Sequence, residues 1–163
     1  MNKLLFDKIY FYTLNNTKAR NIAVFISGFS KPAFIIIYIA GIICSLLQGG
    51  ERTAEIIAVP FLTLVFNTAL RKIINKPRPF TREDVSQLVD HKDSGSFPSN
   101  HAASSMIISL SYILIYPPLV PVFIVFAFFT GLSRVATGVH YPLDVAAGWF
   151  ISTVSGIIFF YIL

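Results

Sequence analysis

Four stretches of this chain carry no formally charged residue, and their lengths predict the architecture. They cover residues 32–50, 56–70, 102–133 and 145–163. A helix that crosses the hydrocarbon core of a bilayer needs about 20 mostly apolar residues, so the first and last stretches each predict one membrane span. The second stretch is shorter, and we expect its helix to continue to about residue 74, which places Arg71 and Lys72 at headgroup depth.

The third stretch is too long for one span and contains Pro117, Pro118 and Pro121 near its middle. Because proline ends or breaks a helix, this stretch predicts two spans, at about residues 99–116 and 119–137. Upstream of the first span, we expect residues 20–30 to continue toward it with a kink near Pro32.

Apolar and charged side chains interleave near the N-terminus, over residues 4–12, as is typical of an amphipathic helix that lies in the membrane interface. The predicted fold is therefore all-α. We expect a polytopic membrane helix bundle of about five spans, preceded by an N-terminal interfacial helix. Residues 1–163 are expected to form a single domain.

The composition supports a membrane protein and excludes several other classes. Hydrophobic residues make up 55% of the chain and charged residues only 13%, about half the charged share of a typical soluble domain. The same numbers exclude a disordered chain, and the single cysteine, Cys44, excludes a disulfide scaffold.

The basic residues are unevenly placed. Residues 1–31 and 71–92 together with Arg134 hold twelve of the thirteen Lys and Arg residues. Since they lie at the ends of apolar runs, they favour lipid headgroups or a phosphorylated substrate over nucleic acid. With five spans, residues 1–31, 72–98 and 134–144 share one side of the membrane, so the sequence predicts one polar site there.

His140 and Asp144 are separated by four positions, with Pro142 between them. Proline is favoured at the first position of a helix, so we expect the last span to begin there with Asp144 in its first turn. From that turn a carboxylate can reach back to His140 and fix the tautomer of its ring. Alternatively, Asp144 only caps the helix; the pair alone does not distinguish these interpretations.

His101 begins the predicted third span beside Ser99. A helix N-terminus offers unpaired N–H groups to an anion, Ser99 adds a hydroxyl donor, and His101 can protonate a departing oxygen. The alternative is a simple helix cap. Arg78 and Arg134 carry planar guanidinium groups that suit phosphate oxygens, although arginines near a membrane surface also serve as headgroup anchors.

Three segments together carry a family signature: residues 71–80, 96–101 and 133–144. They resemble the type 2 phosphatidic acid phosphatase superfamily, whose pattern is Lys-x6-Arg-Pro, Pro-Ser-Gly-His and Ser-Arg-x5-His-x3-Asp. The resemblance covers roughly residues 60–160. It implies a membrane lipid phosphatase in which His140 forms a phosphohistidine while His101 acts as general acid and later activates water. No metal and no cofactor are expected.

Two positions depart from the pattern. Arg71 occupies the position of the family lysine, and Lys72 is one position away. We therefore expect Arg71 to be the phosphate ligand, with Lys72 as the second candidate. Asn100 replaces the glycine, and its backbone N–H can still donate to phosphate. In having a small polar residue at this position, the chain resembles bacterial undecaprenyl diphosphate phosphatases of the bacitracin-resistance type. Its short length also makes it most similar to that group.

The resemblance implies a polyprenyl or glycerolipid phosphate as substrate and leaves phosphatidylglycerol phosphate, phosphatidate and lipid A phosphate open. The rival class is a non-enzymatic membrane subunit that only binds anionic lipids. The positive-inside rule places the basic face in the cytoplasm, whereas the resemblance implies an outward-facing site, which we adopt as the expectation. His91 lies in a polar stretch and is expected in a solvated loop.

Overall fold

The computed structural model describes residues 2–92 and 94–162, and these residues form helices and loops without any strand. The six α-helices are α1 (Asn2–Asn15), α2 (Thr17–Leu47), α3 (Thr53–Ile74), α4 (Asn100–Ser111), α5 (Val120–Ala136) and α6 (Pro142–Ile157). A π-helical turn, Ile158–Ile162, extends the last helix. The predicted all-α fold is confirmed.

Four segments of the described chain are long and apolar enough to cross a membrane: Thr17–Leu47, Thr53–Thr81, Pro117–Ala136 and Pro142–Ile162. The protein is therefore a multi-pass membrane protein. At residues 99–116, where one of the about five spans is predicted, α4 has 12 residues and a 3₁₀ turn, Tyr112–Leu114, continues it. Together they are shorter than the helix of about 20 residues that crosses the hydrocarbon core by itself.

The position of α4 explains its short length. This helix packs against α3, α5 and α6, and nearly all of its side chains from Ala102 to Ser111 are buried in the protein. A helix surrounded by other helices does not need a long apolar surface toward lipid. Consequently α4 can carry Ser105, Ser109 and Ser111, whose hydroxyl groups donate to backbone carbonyls within the helix.

The N-terminal helices follow the predicted order. Residues 20–30 continue into the first predicted span within one helix, α2, which runs from Thr17 to Leu47 and contains Pro32. On α1, Phe6 and Tyr10 are fully buried. The Phe6 ring meets the Tyr141 ring edge-on, with centroids 5.2 Å apart. The predicted N-terminal helix is thus present, and its inner side packs on the end of the bundle that holds the start of α6.

Two features bring α4 and α6 together near the predicted site. The Ser99 N–H donates to the Asp144 carbonyl oxygen at 2.9 Å. At Gly148, a Cβ atom would lie 2.6 Å from the Ser99 carbonyl oxygen, so only glycine allows α6 to approach this closely. The start of α4, which carries His101, and the first turns of α6 are therefore held side by side.

Candidate active site

A polar cavity of about 560 Å³ lies at one end of the bundle, where α2, α3, α4 and α5 meet the loop between α3 and α4. Its lining includes Lys31, Arg71, His91, His101 and Arg134. Arg78 and His140, in contact with each other, lie beside it. The structure thus brings the three predicted segments together at one end of the molecule.

His140 lies in the loop between α5 and α6 and is almost completely buried. Its Nε2 atom is 3.2 Å from Nη1 of Arg78. Because a guanidinium group only donates hydrogen bonds, Nε2 accepts, and the proton of the neutral ring resides on Nδ1. This tautomer places the lone pair of the ring on Nε2, the atom that faces the Arg78 guanidinium group.

Burial lowers the pKa of His140 to about 3, and the neighbouring Asp144 offsets only part of this effect. The charges of Arg78 and Arg134 lower it further. The ring is therefore neutral at neutral pH. A neutral imidazole is the form in which Nε2 can attack an electrophile.

Asp144 occupies the first turn of α6, as predicted from Pro142. Its Oδ2 accepts a hydrogen bond from the Tyr141 backbone N–H at 2.8 Å, so the carboxylate caps the helix. The same oxygen is 3.8 Å from Nδ1 of His140, which is beyond hydrogen-bond distance. Nδ1 has no hydrogen-bond partner among the described residues. The cap is formed, and the carboxylate stands beside the ring without bonding to it.

Lys76 is a part of the site that sequence reasoning missed. Its Nζ atom lies 2.8 Å from Oδ1 of Asp144 and 4.8 Å from the centroid of the Tyr141 ring. The carboxylate side chain is fully buried, and an unpaired buried charge is costly, so the ammonium group stabilises the ionised Asp144. The motif drew attention to Arg71 and Lys72, and nothing in the local pattern distinguishes Lys76 as the ion-pair partner.

Arg78 is fully buried, and backbone oxygens hold its guanidinium group. It donates to the carbonyl oxygens of Ser94 (2.8 Å), Gly95 (3.1 Å) and Val139 (2.8 Å). These acceptors belong to two different loops. The guanidinium group is thus fixed in place next to Nε2 of His140.

Arg134, on α5, is nearly buried and lines the polar cavity. Its Nη1 atom donates to the Ser27 hydroxyl group at 2.5 Å. Its Nε atom has no hydrogen-bond partner in the part of the chain that the structure describes. Ser27 of α2 therefore orients this arginine through a contact between distant segments that no sequence motif indicated.

The start of α4 combines helix capping with the cavity wall. The Ser99 hydroxyl oxygen accepts from the Ala102 N–H at 3.4 Å, and His101 lines the cavity. The Asn100 side chain points away toward α3, where Oδ1 accepts from Asn67 Nδ2 (2.6 Å) and Nδ2 donates to the Thr68 hydroxyl group (2.9 Å). Ser99 thus forms the cap that the alternative interpretation expected.

The structure distinguishes the two basic residues at the end of α3. Arg71 lines the polar cavity and is partly buried. Lys72 is exposed and does not belong to that lining among the described residues. The two side chains are one helical position apart, about 100° around the axis, so only one of them turns toward the cavity.

His91 corrects the expectation of a solvated loop residue. Its ring is half-buried, with its centroid 6.1 Å from the centroids of both His101 and His140. Its Nδ1 atom is 3.1 Å from the Lys92 carbonyl oxygen and donates to it. Burial lowers the pKa of His91 to about 4. A neutral third imidazole thus stands beside both predicted catalytic histidines.

An apolar groove of about 400 Å³ lies between α2, α3 and α4. It is lined mainly by hydrophobic side chains, among them Phe34, Ile35, Phe61, Leu64 and Ile108. Lys31 and His101 line both this groove and the polar cavity. A polar chamber next to an apolar groove suits an amphiphile with a charged head and a hydrocarbon tail.

The profile of the PAP2 superfamily matches residues 52–163. Undecaprenyl-diphosphatase BcrC of Bacillus subtilis is 28% identical over 160 residues, which cover 98% of this chain and 83% of that protein. Lipid A 1-phosphatase of Rhizobium johnstonii is 33% identical over 113 residues, which cover 61% of this chain and 46% of that enzyme.

The fold agrees with these relationships. The crystal structure of Aquifex aeolicus LpxE superposes with a TM-score of 0.79 at 27% identity, covering 98% of this chain and 94% of that one. The match to the family profile spans α3 to α6 and includes both predicted catalytic histidines. On these grounds the chain belongs to the PAP2 superfamily of membrane lipid phosphatases.

Proposed function

We propose that this protein removes the terminal phosphate from a lipid diphosphate through a phosphohistidine on His140, with undecaprenyl diphosphate as the best candidate substrate. The observation that carries the proposal is the orientation of His140. Its Nε2 lone pair is held next to Arg78, beside a cationic cavity that adjoins an apolar groove. An anionic lipid headgroup and its tail match that pair of environments.

In the first step, Nε2 of His140 attacks the terminal phosphorus. A P–N bond forms, the bridging P–O bond breaks, and the bridging oxygen leaves on the lipid phosphate with a proton from His101. Arg71, Arg78 and Arg134, with Ser99 and the Asn100 N–H at the start of α4, stabilise the charge on the equatorial oxygens. Asp144 stabilises the positive charge that develops on the His140 ring.

In the second step, His101 accepts a proton from water as the water oxygen attacks the phosphorus. The P–N bond breaks, inorganic phosphate departs, and His140 returns to its neutral form. Overall, one lipid diphosphate and one water yield one lipid phosphate and one inorganic phosphate. Guanidinium groups remain charged without help, so the proposed mechanism uses no metal ion.

The lipid-phosphate class also fits the names of the relatives, which include an undecaprenyl-diphosphatase and a lipid A 1-phosphatase. The extent of the match favours the diphosphate, because the undecaprenyl-diphosphatase aligns with 98% of this chain. Purified protein should therefore release more phosphate from undecaprenyl diphosphate than from phosphatidate, phosphatidylglycerol phosphate or lipid A under the same detergent conditions.

The central test is phosphate release from undecaprenyl diphosphate in detergent with EDTA present. Wild-type protein should release phosphate, and His140→Ala should not, while it retains its fold and its binding of the lipid. Equal release by the variant would overturn the mechanism. Lipid binding without release by the wild type would identify a non-enzymatic lipid-binding subunit, and loss of release on adding EDTA would reveal a metal requirement.

We further propose that the site faces the cell exterior or the periplasm. Several basic residues that would favour the cytoplasm by their charge alone have a role in the site: Lys76 pairs with Asp144, and Arg78 is buried against backbone carbonyls. Gly50→Cys and Lys92→Cys, each in a Cys44→Ala background, report the two sides. Labelling of Lys92→Cys but not Gly50→Cys by an impermeant reagent in intact cells is expected, and the reverse pattern would overturn the assignment.

A further inference from the structure

Lys31 marks the boundary between the polar cavity and the apolar groove. This residue lies on α2, outside the three sequence motifs, and its side chain is exposed. Of the residues that the structure describes, only Lys31 and His101 line both spaces. Anything that joins a headgroup in the cavity to a tail in the groove must pass these two side chains.

The lining of the polar cavity includes positively charged side chains beyond the arginines that the proposed mechanism assigns to the reacting phosphate. Arg78 contacts the predicted nucleophile, His140, and Arg134 lines the cavity. Among the described residues, Lys31 and Lys92 add two ammonium groups to the lining, against one carboxylate, that of Asp90. Lys31 is the ammonium group at the groove, on the side where the lipid part of a substrate would lie.

We propose that Lys31 binds the lipid-side phosphate of a diphosphate substrate, and so makes the site selective for lipid diphosphates over lipid monophosphates. This inference rests on the proposed function. In a diphosphate, the leaving group of the first step is itself a phosphate. That phosphate must lie between the phosphorus attacked by His140 and the tail, at the position that Lys31 and His101 share.

The chemistry of the two leaving groups separates the roles of these residues. When the bridging P–O bond breaks, His101 supplies the proton and Lys31 stabilises the negative charge of the departing lipid phosphate. In a monophosphate, the bond to the reacting phosphorus leads to an alcohol oxygen attached to the tail. No second phosphate then lies at the boundary, and Lys31 has no anion to bind.

The test measures equilibrium binding of farnesyl diphosphate and farnesyl phosphate to protein carrying His140→Ala, which prevents turnover. Adding Lys31→Gln should weaken diphosphate binding by about ten- to a hundredfold, the usual effect of losing a charge-assisted hydrogen bond. Monophosphate binding should change by less than about threefold. Lys31→Arg should preserve the preference for the diphosphate, because it keeps the positive charge.

Lys18→Gln is the matched control, since Lys18 is exposed on the same helix and lies outside both lining sets of the described chain. It should leave both affinities unchanged. Equal weakening of both ligands by Lys31→Gln, or no weakening of either, would overturn the inference. Lys31→Met serves as a second neutral variant should Lys31→Gln fail to purify as a folded protein.

The proposed function is tested separately by phosphate release from farnesyl diphosphate with protein that retains His140. Absence of release would overturn the hydrolytic mechanism, while the ratio of the two affinities would still decide the role of Lys31. With hydrolysis present, Lys31→Gln should lower kcat/KM for the diphosphate and not for the monophosphate. An equal fall for both substrates would count against the inference even if binding had changed.

Discussion

The two sides of the candidate active site, that of the proposed nucleophile His140 and that of the proposed leaving group at His101, are built in different ways. On the nucleophile side, His140, Arg78 and Asp144 are fully or almost fully buried, and backbone groups hold the latter two. On the leaving-group side, His101 and His91 are only partly buried, and His101 also lines the apolar groove. One side is fixed before substrate arrives, and the other is open to the cavity.

This contrast follows from what each side contacts. In the proposed mechanism, the nucleophile meets a phosphorus atom with the same equatorial oxygens in every substrate, so a rigid arrangement does not narrow the substrate range and avoids reorganisation during the reaction. The leaving group of that mechanism carries the lipid, which extends from the cavity into the groove. Substitutions on the nucleophile side should therefore act on kcat, while those on the other side should act on substrate preference.

Arg78→Lys should produce the largest fall in activity among substitutions that leave the catalytic histidines in place. A lysine cannot reproduce the planar fork that donates to Ser94, Gly95 and Val139, so the positive charge next to His140 would shift. We expect kcat to fall about 10²- to 10³-fold. Steady-state phosphate release at several substrate concentrations separates this effect from a change in KM.

Arg82→Lys is the control for Arg78→Lys. Arg82 lies in the loop after α3 and forms ion pairs with Asp84 of the same loop and with Asp7 of α1. Among the described residues, it lies outside the lining of the polar cavity. It should change kcat by less than about threefold. A rise in KM with unchanged kcat in Arg78→Lys would contradict a transition-state role for this arginine and indicate that it only binds substrate.

Acid should destabilise the site through its buried imidazoles. The pKa of His140 is lowered to about 3 in the fold, whereas an unfolded histidine titrates near 6.5. Above pH 6.5 neither state gains a proton from this group. As pH falls toward 3, the unfolded state binds the proton first, so the free energy of unfolding decreases, by about 2 kcal/mol for this group at pH 5.

Melting temperatures in detergent between pH 7.5 and 5 would measure this effect, with His140→Gln compared against wild type. The variant should lose part of the pH dependence, because glutamine does not titrate. His91→Gln should remove a smaller part, since His91 is half-buried and its pKa is lowered only to about 4. An unchanged pH dependence in His140→Gln would show that the ring is not held neutral by burial.

The end of α3 provides a matched pair for activity. Arg71 lines the cavity and Lys72 does not, within the described residues, although both carry a positive charge at nearly the same depth. Arg71→Gln should lower kcat/KM about tenfold through the loss of one phosphate contact, and Lys72→Gln should leave it within about twofold. A larger fall in kcat/KM for Lys72→Gln than for Arg71→Gln would make Lys72 the phosphate ligand. It would also require the end of α3 to be rotated relative to the structure.

The sequence predicted the parts of the fold that depend on local patterns. Uncharged stretches located the long helices, and Pro142 correctly marked the first turn of α6. The short α4 was beyond such reasoning, because an uncharged, serine-containing segment has the same pattern whether lipid or protein surrounds it. Only the packing of α3, α5 and α6 around it decides between the two.

The same division applies to the site. Motif residues such as His101 and Arg134, which line the polar cavity, could be predicted because their spacing is itself the signal. Lys76 and Ser27 were missed because they act through partners 68 and 107 positions away along the chain. His91 was missed for a related reason, since its position depends on how the loop between α3 and α4 folds back over the cavity. Contacts between distant segments leave no mark in a local pattern.

Asn100 is the site of the smallest predicted effect, and it explains how this chain replaces the glycine of the motif. The Asn100 side chain contributes nothing to the polar cavity lining in the described structure and instead bonds to Asn67 and Thr68 of α3. Asn100→Gly should therefore lower stability by about 1 kcal/mol and kcat/KM by only a fewfold, because the backbone N–H remains.

Asn100→Asp is the matched variant, since its carboxylate can still accept from Asn67 Nδ2, and the Thr68 hydroxyl group can rotate to donate. It should melt closer to wild type than Asn100→Gly does. The comparison is informative because Asn67 is fully buried and its Oδ1 has no partner among the described residues, so its Nδ2 bond to position 100 is the contact at stake. The contrary outcome is equal melting temperatures for the two variants with a much larger loss of kcat in Asn100→Gly. That result would show that the Asn100 side chain acts directly on the leaving group rather than by joining α3 to α4.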